Sequence, residues 1–170
     1  MILDIGCGYT KTPGAIGIDI HKYEGVDIVH DIDITPWPFE DNTFETVNAK
    51  HIIEHVSSIP AFMKEIHRIA RPGARLIIDT PHFSSIDSWS DPTHKWHLSC
   101  DFADLFTKGR YLAEQTGAYE VIKKKVSFGS FVLTWPQRLI CGLFGTYVWE
   151  RFFCFVFRGR NLHIELSVVK

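Results

Sequence analysis

The stretch that decides the fold is residues 3–20, LDIGCGYTKTPGAIGIDI. Two short apolar runs, Met1 to Ile5 and Ile16 to Ile20, flank its glycine-containing part, and both are typical of strands in a buried parallel sheet. In such a sheet the loop after a strand lies at the carboxyl edge, where open α/β sheets bind ligands. Gly6 and Gly8 allow the backbone of that loop to approach a ligand closely or to adopt a positive φ. The sequence therefore predicts a ligand site after the first strand.

The rest of the chain continues the alternation of strands and helices. The clearest helix is predicted from Ser58 to Ala70, because Ser58 can cap its first turn and its apolar residues recur at i, i+3 and i+4. A second helix is predicted from Ser99 or Asp101 to Gln115, with Phe102, Leu105 and Phe106 facing inward. Further strands are predicted at Val26–His30, Thr46–Ala49, Arg75–Thr80, Val121–Leu133 and Leu162–Val169. This order indicates an α/β fold with a mostly parallel sheet.

The composition limits the classes of function. The chain has 170 residues, of which 45% are hydrophobic, so we expect a single domain over residues 1–170 with a substantial core. The formal net charge is −2, and nothing in this balance calls for a nucleic acid or an anionic membrane as partner. The four cysteines follow no regular spacing, which favours a reduced, cytoplasmic protein.

The most apolar stretch lies near the end of the chain, from Trp135 to Phe157. Arg138, Glu150 and Arg151 interrupt it, whereas a membrane-spanning helix needs about 20 residues with few or no charges. We therefore expect no integral membrane segment, and we interpret about 134–158 as an aromatic-rich insertion between the last two strands. Three roles stay open for it: core or lid packing, a homodimer surface, or an interfacial helix pair in peripheral contact with a membrane.

The residues around the glycines indicate the kind of ligand. A dinucleotide site needs the pattern GxGxxG, but Gly8 is followed by Tyr9, Thr10 and Lys11, without a third glycine in register. Asp4, at the end of the first strand, would repel a pyrophosphate and attract an ammonium group. Asp19, at the end of the next strand, can accept hydrogen bonds from both hydroxyls of a ribose. A zwitterionic ligand without phosphate fits these residues best.

Several stretches now resemble a known family when they are taken together. LDIGCG, GIDI, HDIDITPWPFEDNTFE, HIIEHV and EIHRIARPGARLIIDTPH follow one another along the chain. In this order they resemble the class I S-adenosylmethionine-dependent methyltransferases, especially the small-molecule group often labelled type 11. The resemblance covers residues 1–82 and extends more loosely to the end. It implies a Rossmann-like methyltransferase sheet, mostly parallel with an antiparallel last strand, and S-adenosylmethionine as cofactor.

The resemblance also assigns candidate cofactor-binding residues. It places the methionine part of the cofactor at the first motif and near the end of the fourth strand, the ribose at Asp19, and the adenine at an acidic residue with its neighbour. Asp33 competes with Asp31 for that last role. The full set of cofactor-binding candidates is Asp4, Gly6, Cys7, Gly8, Asp19, Ile20, Asp31, Ile32, Ala49, Lys50 and His51.

The sequence departs from the family pattern in two places. The helix that usually follows the first glycine turn is shortened to Tyr9–Pro13, which predicts a compact loop between the first two strands. Met1 already belongs to the first strand, so we expect none of the helices that usually precede it. Another segment, such as the aromatic insertion or a partner chain, is then expected to close the site.

Candidate catalytic residues lie in DTPHFSSIDSWSDPTHKWHLS, residues 79–99. His82 follows the fifth strand and could act as a proton acceptor near neutral pH, or could simply be a histidine with satisfied partners. Asp91 is expected to orient His94. A metal held by His82, Asp91, His94 and His97 is a further interpretation, but no cysteine ligand is near and the spacing matches no metal motif, so we expect no metal.

The leading hypothesis is therefore methyl transfer from S-adenosylmethionine to the oxygen or carbon of a small molecule, free or linked to a lipid or a sugar. The signature of amino-directed nucleic-acid and protein glutamine methyltransferases is absent, because NAKH follows the fourth strand (residues 48–51). No basic surface points to nucleic acid either. One alternative is a regulatory or scaffold subunit that binds the cofactor without catalysis. A nicotinamide oxidoreductase is a distant third.

Overall fold

The computed structural model describes residues 1–129 and 134–170. Seven strands form one sheet in the order β3-β2-β1-β4-β5-β7-β6. The pairs from β3 to β5 are parallel, and β7 is antiparallel to both of its neighbours. This confirms the predicted mostly parallel sheet with an antiparallel last strand. The strands are β1 Ile2–Ile5, β2 Ile16–Asp19, β3 Ile28–Val29, β4 Phe44–Lys50, β5 Ala70–Pro81, β6 Ala118–Val126 and β7 Asn161–Val169.

The helices pack around this sheet. They are α1 Ile59–Ile69, α2 Asp87–Ser90, a 3-10 helix Cys100–Phe106, α3 Tyr111–Thr116 and α4 Trp135–Phe152. In α1, the hydroxyl of Ser58 accepts a hydrogen bond from the N–H of Ala61 at 3.3 Å, as its predicted capping role requires. The apolar side of α1 is buried, including Phe62, Met63 and Ile66, which belong to the main core.

The predicted helix from Ser99 or Asp101 to Gln115 does not form as one continuous helix. The chain forms the 3-10 helix, then a turn, and then α3. Gly109, in that turn, has a φ of +84°, a conformation that an α-helix cannot contain. Phe102 and Phe106 are buried as predicted, but Leu105 is 40% exposed because the tighter 3-10 geometry turns it outward.

Two strand boundaries also differ from the prediction. β5 begins at Ala70, directly after α1, because Ala70 pairs with Phe44 of β4. The register then shifts, and regular pairing continues from Thr46 and Arg75. Residues 71–74, which separate the predicted helix from the predicted strand, therefore belong to β5 as an interruption of its pairing. β6 runs from Ala118 to Val126, so the predicted strand Val121–Leu133 is too long, and its residues 130–133 lie outside the described residues.

The connection between β1 and β2 is the predicted compact loop, with turns and no helix between residues 6 and 15. The carboxylate of Asp4 accepts the backbone N–H of Thr12 at 2.6 Å. The side-chain amide of Asn48 donates to the hydroxyl of Thr12 at 3.3 Å. Side chains of β1 and β4 thus fix the middle of the loop in place of a helix.

The aromatic insertion forms α4, which consists of two helical segments joined at Gly145, where φ is +82°. Trp149 anchors it, since its side chain is fully buried and its indole N–H donates to the carbonyl of Phe157 at 3.0 Å. Much of its remaining apolar surface faces solvent: Trp135, Leu139, Leu143, Phe144, Tyr147 and Phe152 are all at least half exposed. Across residues 1–129 and 134–170, no helix combines the length and apolar character needed to cross a bilayer.

Candidate functional site

The first of two adjoining cavities opens at the carboxyl ends of β1, β2 and β4. It contains about 530 Å³ of empty space, part of it open to solvent. It lies where the sequence predicts a ligand site. Five lining residues are predicted cofactor-binding residues: Gly6, Asp19, Ile20, Asp31 and Ile32. The others are His30, Asp33, Ile52, His55 and Val56.

Backbone N–H groups hold the carboxylate of Asp19 at the edge of this cavity. Its two oxygens accept hydrogen bonds from the N–H of Gly8 at 2.9 Å and of His21 at 3.0 Å. Gly8 has a φ of +48°, so glycine suits the conformation that points its N–H at Asp19. Each carboxylate oxygen has a second lone pair, and Asp19 therefore keeps acceptor capacity for a ligand hydroxyl.

Asp31 and Asp33 both line the first cavity, but they differ in their partners. The carboxylate of Asp33 accepts hydrogen bonds from the N–H of Ser57 at 2.8 Å and from its hydroxyl at 2.6 Å. Burial raises the pKa of Asp33, yet these hydrogen bonds outweigh it and hold that pKa below its usual range. The carboxylate of Asp31 accepts only the N–H of Asp33 among the hydrogen bonds found in the described residues, so it is the freer of the two carboxylates.

Other predicted cofactor-binding residues lie outside both cavities. Asp4 is buried and bound to Thr12, so its carboxylate supports the loop. The thiol of Cys7 packs against β2, where a Cβ atom on Gly17 would lie 2.6 Å from its sulfur. Burial, followed by the charge of Asp19, raises the pKa of this thiol.

The predicted residues at the end of β4 do not line a cavity either. Ala49 is fully buried, and Lys50 is exposed but lines neither cavity. Residues that are close to the site in the sequence thus do not all have side chains that reach a cavity.

The second cavity is a wide cleft that adjoins the first, and His55 lines both. It contains about 1170 Å³ of empty space, including open solvent. Its walls come from the segment after β4, the loop after β5 and the residues at the start of β7. The lining residues are His51, Glu54, His55, Pro81, Asp87, Ser90, Asp91, Pro92, His94, Arg160 and Asn161. Most of these are polar or charged.

His51, a predicted cofactor-binding residue, lies on the second cavity and not on the first. Its Nδ1 is 3.4 Å from an oxygen of Glu54. The carboxylate of Glu54 raises the pKa of His51, against the opposing effect of burial. Glu54 itself is 1% exposed, and neither of its carboxylate oxygens has a hydrogen-bond partner in the described ranges.

His94 and Asp91 also line the second cavity, but Asp91 does not orient His94 through a hydrogen bond, contrary to the prediction from the sequence. The closest approach, between Nε2 of His94 and Oδ2 of Asp91, is 3.9 Å, which is too long for a hydrogen bond. Nδ1 of His94 is 3.0 Å from the carbonyl of Ser88, which orients the ring. Asp91 instead accepts the N–H and the hydroxyl of Thr93, which together hold its pKa below the usual range.

The position of His82 contradicts its predicted role as a base. The ring is fully buried and lines neither cavity. Nε2 lies 2.8 Å from Oε1 of Glu150 on α4, and Nδ1 lies 2.8 Å from the hydroxyl of Ser84. Burial raises the pKa of Glu150, but the hydrogen bond with His82 outweighs it and keeps that pKa low. His82 therefore ties α4 to the end of β5.

Four residues of the first cavity are not among those predicted from the sequence: His30, Ile52, His55 and Val56. Neither is Glu54 in the second. Four of the five lie in HIIEHV, directly after β4. A signal was present, since a segment that follows a central parallel strand emerges at the ligand edge of the sheet.

The structural role of His82 leads to a prediction. We expect His82→Ala to lower the free energy of unfolding by about 3–5 kcal/mol, because it leaves the carboxylate of Glu150 buried without its partner. Affinity for S-adenosylmethionine should stay within about twofold of the unchanged protein. Urea unfolding and isothermal titration measure the two effects. The matched control is His97→Ala, whose ring stacks on exposed Trp89 and should cost much less. A small loss of stability for His82→Ala would contradict this account.

Comparison with known proteins agrees with the fold. A family model described as "Methyltransferase domain" matches residues 1–120. The sterol 4-C-methyltransferase strm-1 of Caenorhabditis elegans is 28% identical over 98 residues, which cover 45% of this chain and 29% of that protein. The matched part thus spans less than a third of this relative.

Solved structures show the same architecture. A methyltransferase from Archaeoglobus fulgidus, described as SAM dependent, superposes with a TM-score of 0.65 at 18% identity, over 98% of this chain and 85% of that one. The YcgJ protein from Bacillus subtilis gives 0.62 at 15% identity, over 99% and 92%. At these identities the likeness shows the fold alone. With the family match over residues 1–120, the chain belongs to the S-adenosylmethionine-dependent methyltransferases, and S-adenosylmethionine is its cofactor.

Proposed function

We propose that this protein transfers a methyl group from S-adenosylmethionine, held in the first cavity, to a small molecule bound in the second. The observation that carries the proposal is that the two cavities meet at His55. The cofactor supplies an activated methyl group on a sulfonium. The protein mainly has to align an acceptor with that group, because proximity and orientation account for much of such catalysis.

The residues of the first cavity fit the nucleoside part of the cofactor. Asp19 is buried, positioned by two N–H groups and able to accept hydrogen bonds from ribose hydroxyls. Ile32, Ile52 and Val56 offer apolar contacts suited to a flat base. Asp31, the freer of the two carboxylates, is then the acceptor for the amino group of the adenine.

This assignment predicts the effect of removing one carboxylate. We expect Asp19→Ala to weaken binding of S-adenosylmethionine by about 1–3 kcal/mol, or about 5- to 150-fold, because hydrogen bonds to a charged acceptor are lost. Isothermal titration with the cofactor and its demethylated product measures the change. Asp27→Ala is the matched control, since Asp27 also accepts a backbone N–H, from Gly17 at 2.7 Å, but lines neither cavity. Equal losses for the two variants would contradict the assignment.

The second cavity carries the acceptor side of the proposal. Its histidines and carboxylates favour an acceptor with a polar atom at the reacting end. The sterol methyltransferase relative and the exposed apolar side chains of α4 support an acceptor whose remainder is apolar, such as a lipid-borne molecule. The same apolar surface of α4 could instead pair with a second copy of the chain. His94, with one ring nitrogen fixed by Ser88, replaces His82 as the histidine placed to act on the acceptor.

Transfer of a labelled methyl group tests the function itself. Protein and methyl-labelled S-adenosylmethionine are incubated with a cell extract that is then separated into lipid, small aqueous and macromolecular fractions. We expect label in a small-molecule fraction, and a loss of at least about tenfold with His94→Ala at unchanged cofactor affinity. His97→Ala is the control. Cofactor binding without label in any fraction would favour the alternative of an inactive regulatory subunit, and label in macromolecules alone would contradict a small-molecule acceptor.

A further inference from the structure

Glu54 is a buried carboxylate that accepts no hydrogen bond among the described residues. Its side chain is 1% exposed, and both carboxylate oxygens lack a hydrogen bond within the described part of the chain. The nearest cationic group is the ring of His51 at 3.4 Å, which is half exposed. A buried carboxylate without compensation is costly, so a site that keeps one usually binds something positive. Glu54 is also one of the residues that line the second cavity.

The position of Glu54 is fixed by the loop after β5. Its backbone carbonyl accepts the N–H groups of Lys95 at 2.8 Å and of Trp96 at 3.2 Å. These hydrogen bonds hold the loop, with His94 just before Lys95, against the segment after β4. One ligand-type atom from each of Glu54, His55 and His94 lies within 4.8 Å of the other two.

The hydrogen bonds of the two histidines leave one nitrogen of each ring free to bind a cation. The hydroxyl of Thr93 donates to Asp91 at 2.6 Å, so it accepts at 3.0 Å from Nδ1–H of His55. Nδ1–H of His94 donates to the carbonyl of Ser88 at 3.0 Å. In both rings Nε2 then carries the lone pair. Histidines that bind metals typically donate their other N–H to an oxygen in this way.

We propose that Glu54, His55 and His94 bind a divalent transition-metal ion, with Zn²⁺ as the best fit, at the wall of the second cavity. Two imidazoles and one carboxylate form a known catalytic zinc ligand set, in which a remaining position stays open for water or substrate. Small side-chain rotations would bring the three atoms to about 2 Å from one ion. The cavity supplies the open side.

The proposed function gives the ion a role, and this part of the inference rests on that function. An acceptor oxygen could occupy the open position beside the cofactor site, since His55 also lines the first cavity. A bound cation lowers the pKa of a coordinated hydroxyl and orients it. The acceptor class favoured by the site is thus a molecule with a hydroxyl or enol oxygen at the methylated end. The binding of the ion itself does not require methyl transfer.

A second cluster also contains metal-type residues, but their ligand atoms are already engaged in hydrogen bonds. One atom from each of His82, Cys100 and Glu150 lies equally close to the others. However, Oε1 of Glu150 accepts the N–H of Cys100 at 2.8 Å and lies 2.8 Å from Nε2 of His82. The other nitrogen of His82 is engaged by Ser84, and burial raises the pKa of the Cys100 thiol strongly. The hydrogen bonds of these groups are thus made within the cluster and with Ser84, and Cys100 provides a control residue for the metal titration.

This site differs from the metal interpretation of the sequence, which grouped His82, Asp91, His94 and His97. Only His94 belongs to the cluster. His97 stacks on Trp89 and hydrogen-bonds with Ser88, and His82 is enclosed by α4. The other two ligands, Glu54 and His55, were not in that group and lie in HIIEHV, 39 or more residues before His94 in the chain.

Metal titration tests the inference. The full chain, freed of metal with a chelator, is titrated with Co²⁺, whose visible absorption reports nitrogen and oxygen ligation, and then with Zn²⁺ in competition. We expect one saturable site, weakened at least about tenfold by Glu54→Gln, His55→Ala or His94→Ala. His97→Ala and Cys100→Ser are the controls and should bind as the unchanged protein does. The titration contains no S-adenosylmethionine, so its failure is distinct from failure of the proposed function.

Two results would overturn the inference. One is the absence of saturable Co²⁺ or Zn²⁺ binding up to about 1 mM metal. The other is binding that Cys100→Ser abolishes and Glu54→Gln leaves intact. Thermal unfolding adds a readout that does not depend on spectroscopy: without metal, Glu54→Gln should unfold at a higher temperature than the unchanged protein, because it removes a buried carboxylate that accepts no hydrogen bond and has only the half-exposed His51 beside it. Zn²⁺ should raise the unfolding temperature of the unchanged protein and not that of the variant.

Discussion

The constraint on which the site depends is the parallel pairing of β1 with β2 on one side and β4 on the other. Parallel strands end at the same edge, so the segments after these three strands converge although they are far apart in sequence. Leu3 is opposite Ile16 in β2 and Val47 in β4, and this register brings Gly6, Ile20 and Ile52 to one cavity. A shift by one residue would exchange the two faces of a strand and move Asp19 out of place.

The compact loop after β1 replaces the helix usual at this point, and side-chain hydrogen bonds supply its order. The side chains of Asp4 and Asn48 form hydrogen bonds with Thr12. The N–H of Gly8 donates to the carboxylate of Asp19 at the end of the next strand. The loop thus positions the carboxylate expected to meet the ribose. Asp4 supports this loop through its hydrogen bond with Thr12, which gives the acidic residue a structural role at this position.

A second set of contacts builds the acceptor side. Backbone hydrogen bonds join Glu54 to Lys95 and Trp96, and the indole of Trp96 donates to the carbonyl of Val56 at 2.7 Å. The loop after β5 is thereby held against the segment after β4. Residues of the proposed cofactor cavity and of the proposed acceptor cavity share one short stretch, with His55 on both cavities. This gives the proposed methyl transfer a direct path from one cavity to the other.

The sequence could predict features that depend on local pattern. Strand ends, the cap at Ser58 and the position of Asp19 and Asp31 at the ligand edge follow from periodicity and from a family resemblance. Features that depend on distant partners were missed. His82 is enclosed by Glu150, 68 residues later, and Glu54 meets His94 only because two loops fold together. A histidine at a strand end looks the same in sequence whether a cavity or a helix covers it.

The most direct test of the central claim is a crystal structure of the protein with S-adenosylhomocysteine. We expect the ribose hydroxyls on the carboxylate of Asp19, the adenine between Ile32 and Val56, and the sulfur directed toward the second cavity beside His55. A nucleoside bound outside the first cavity, or a sulfur atom facing away from the second, would contradict the account.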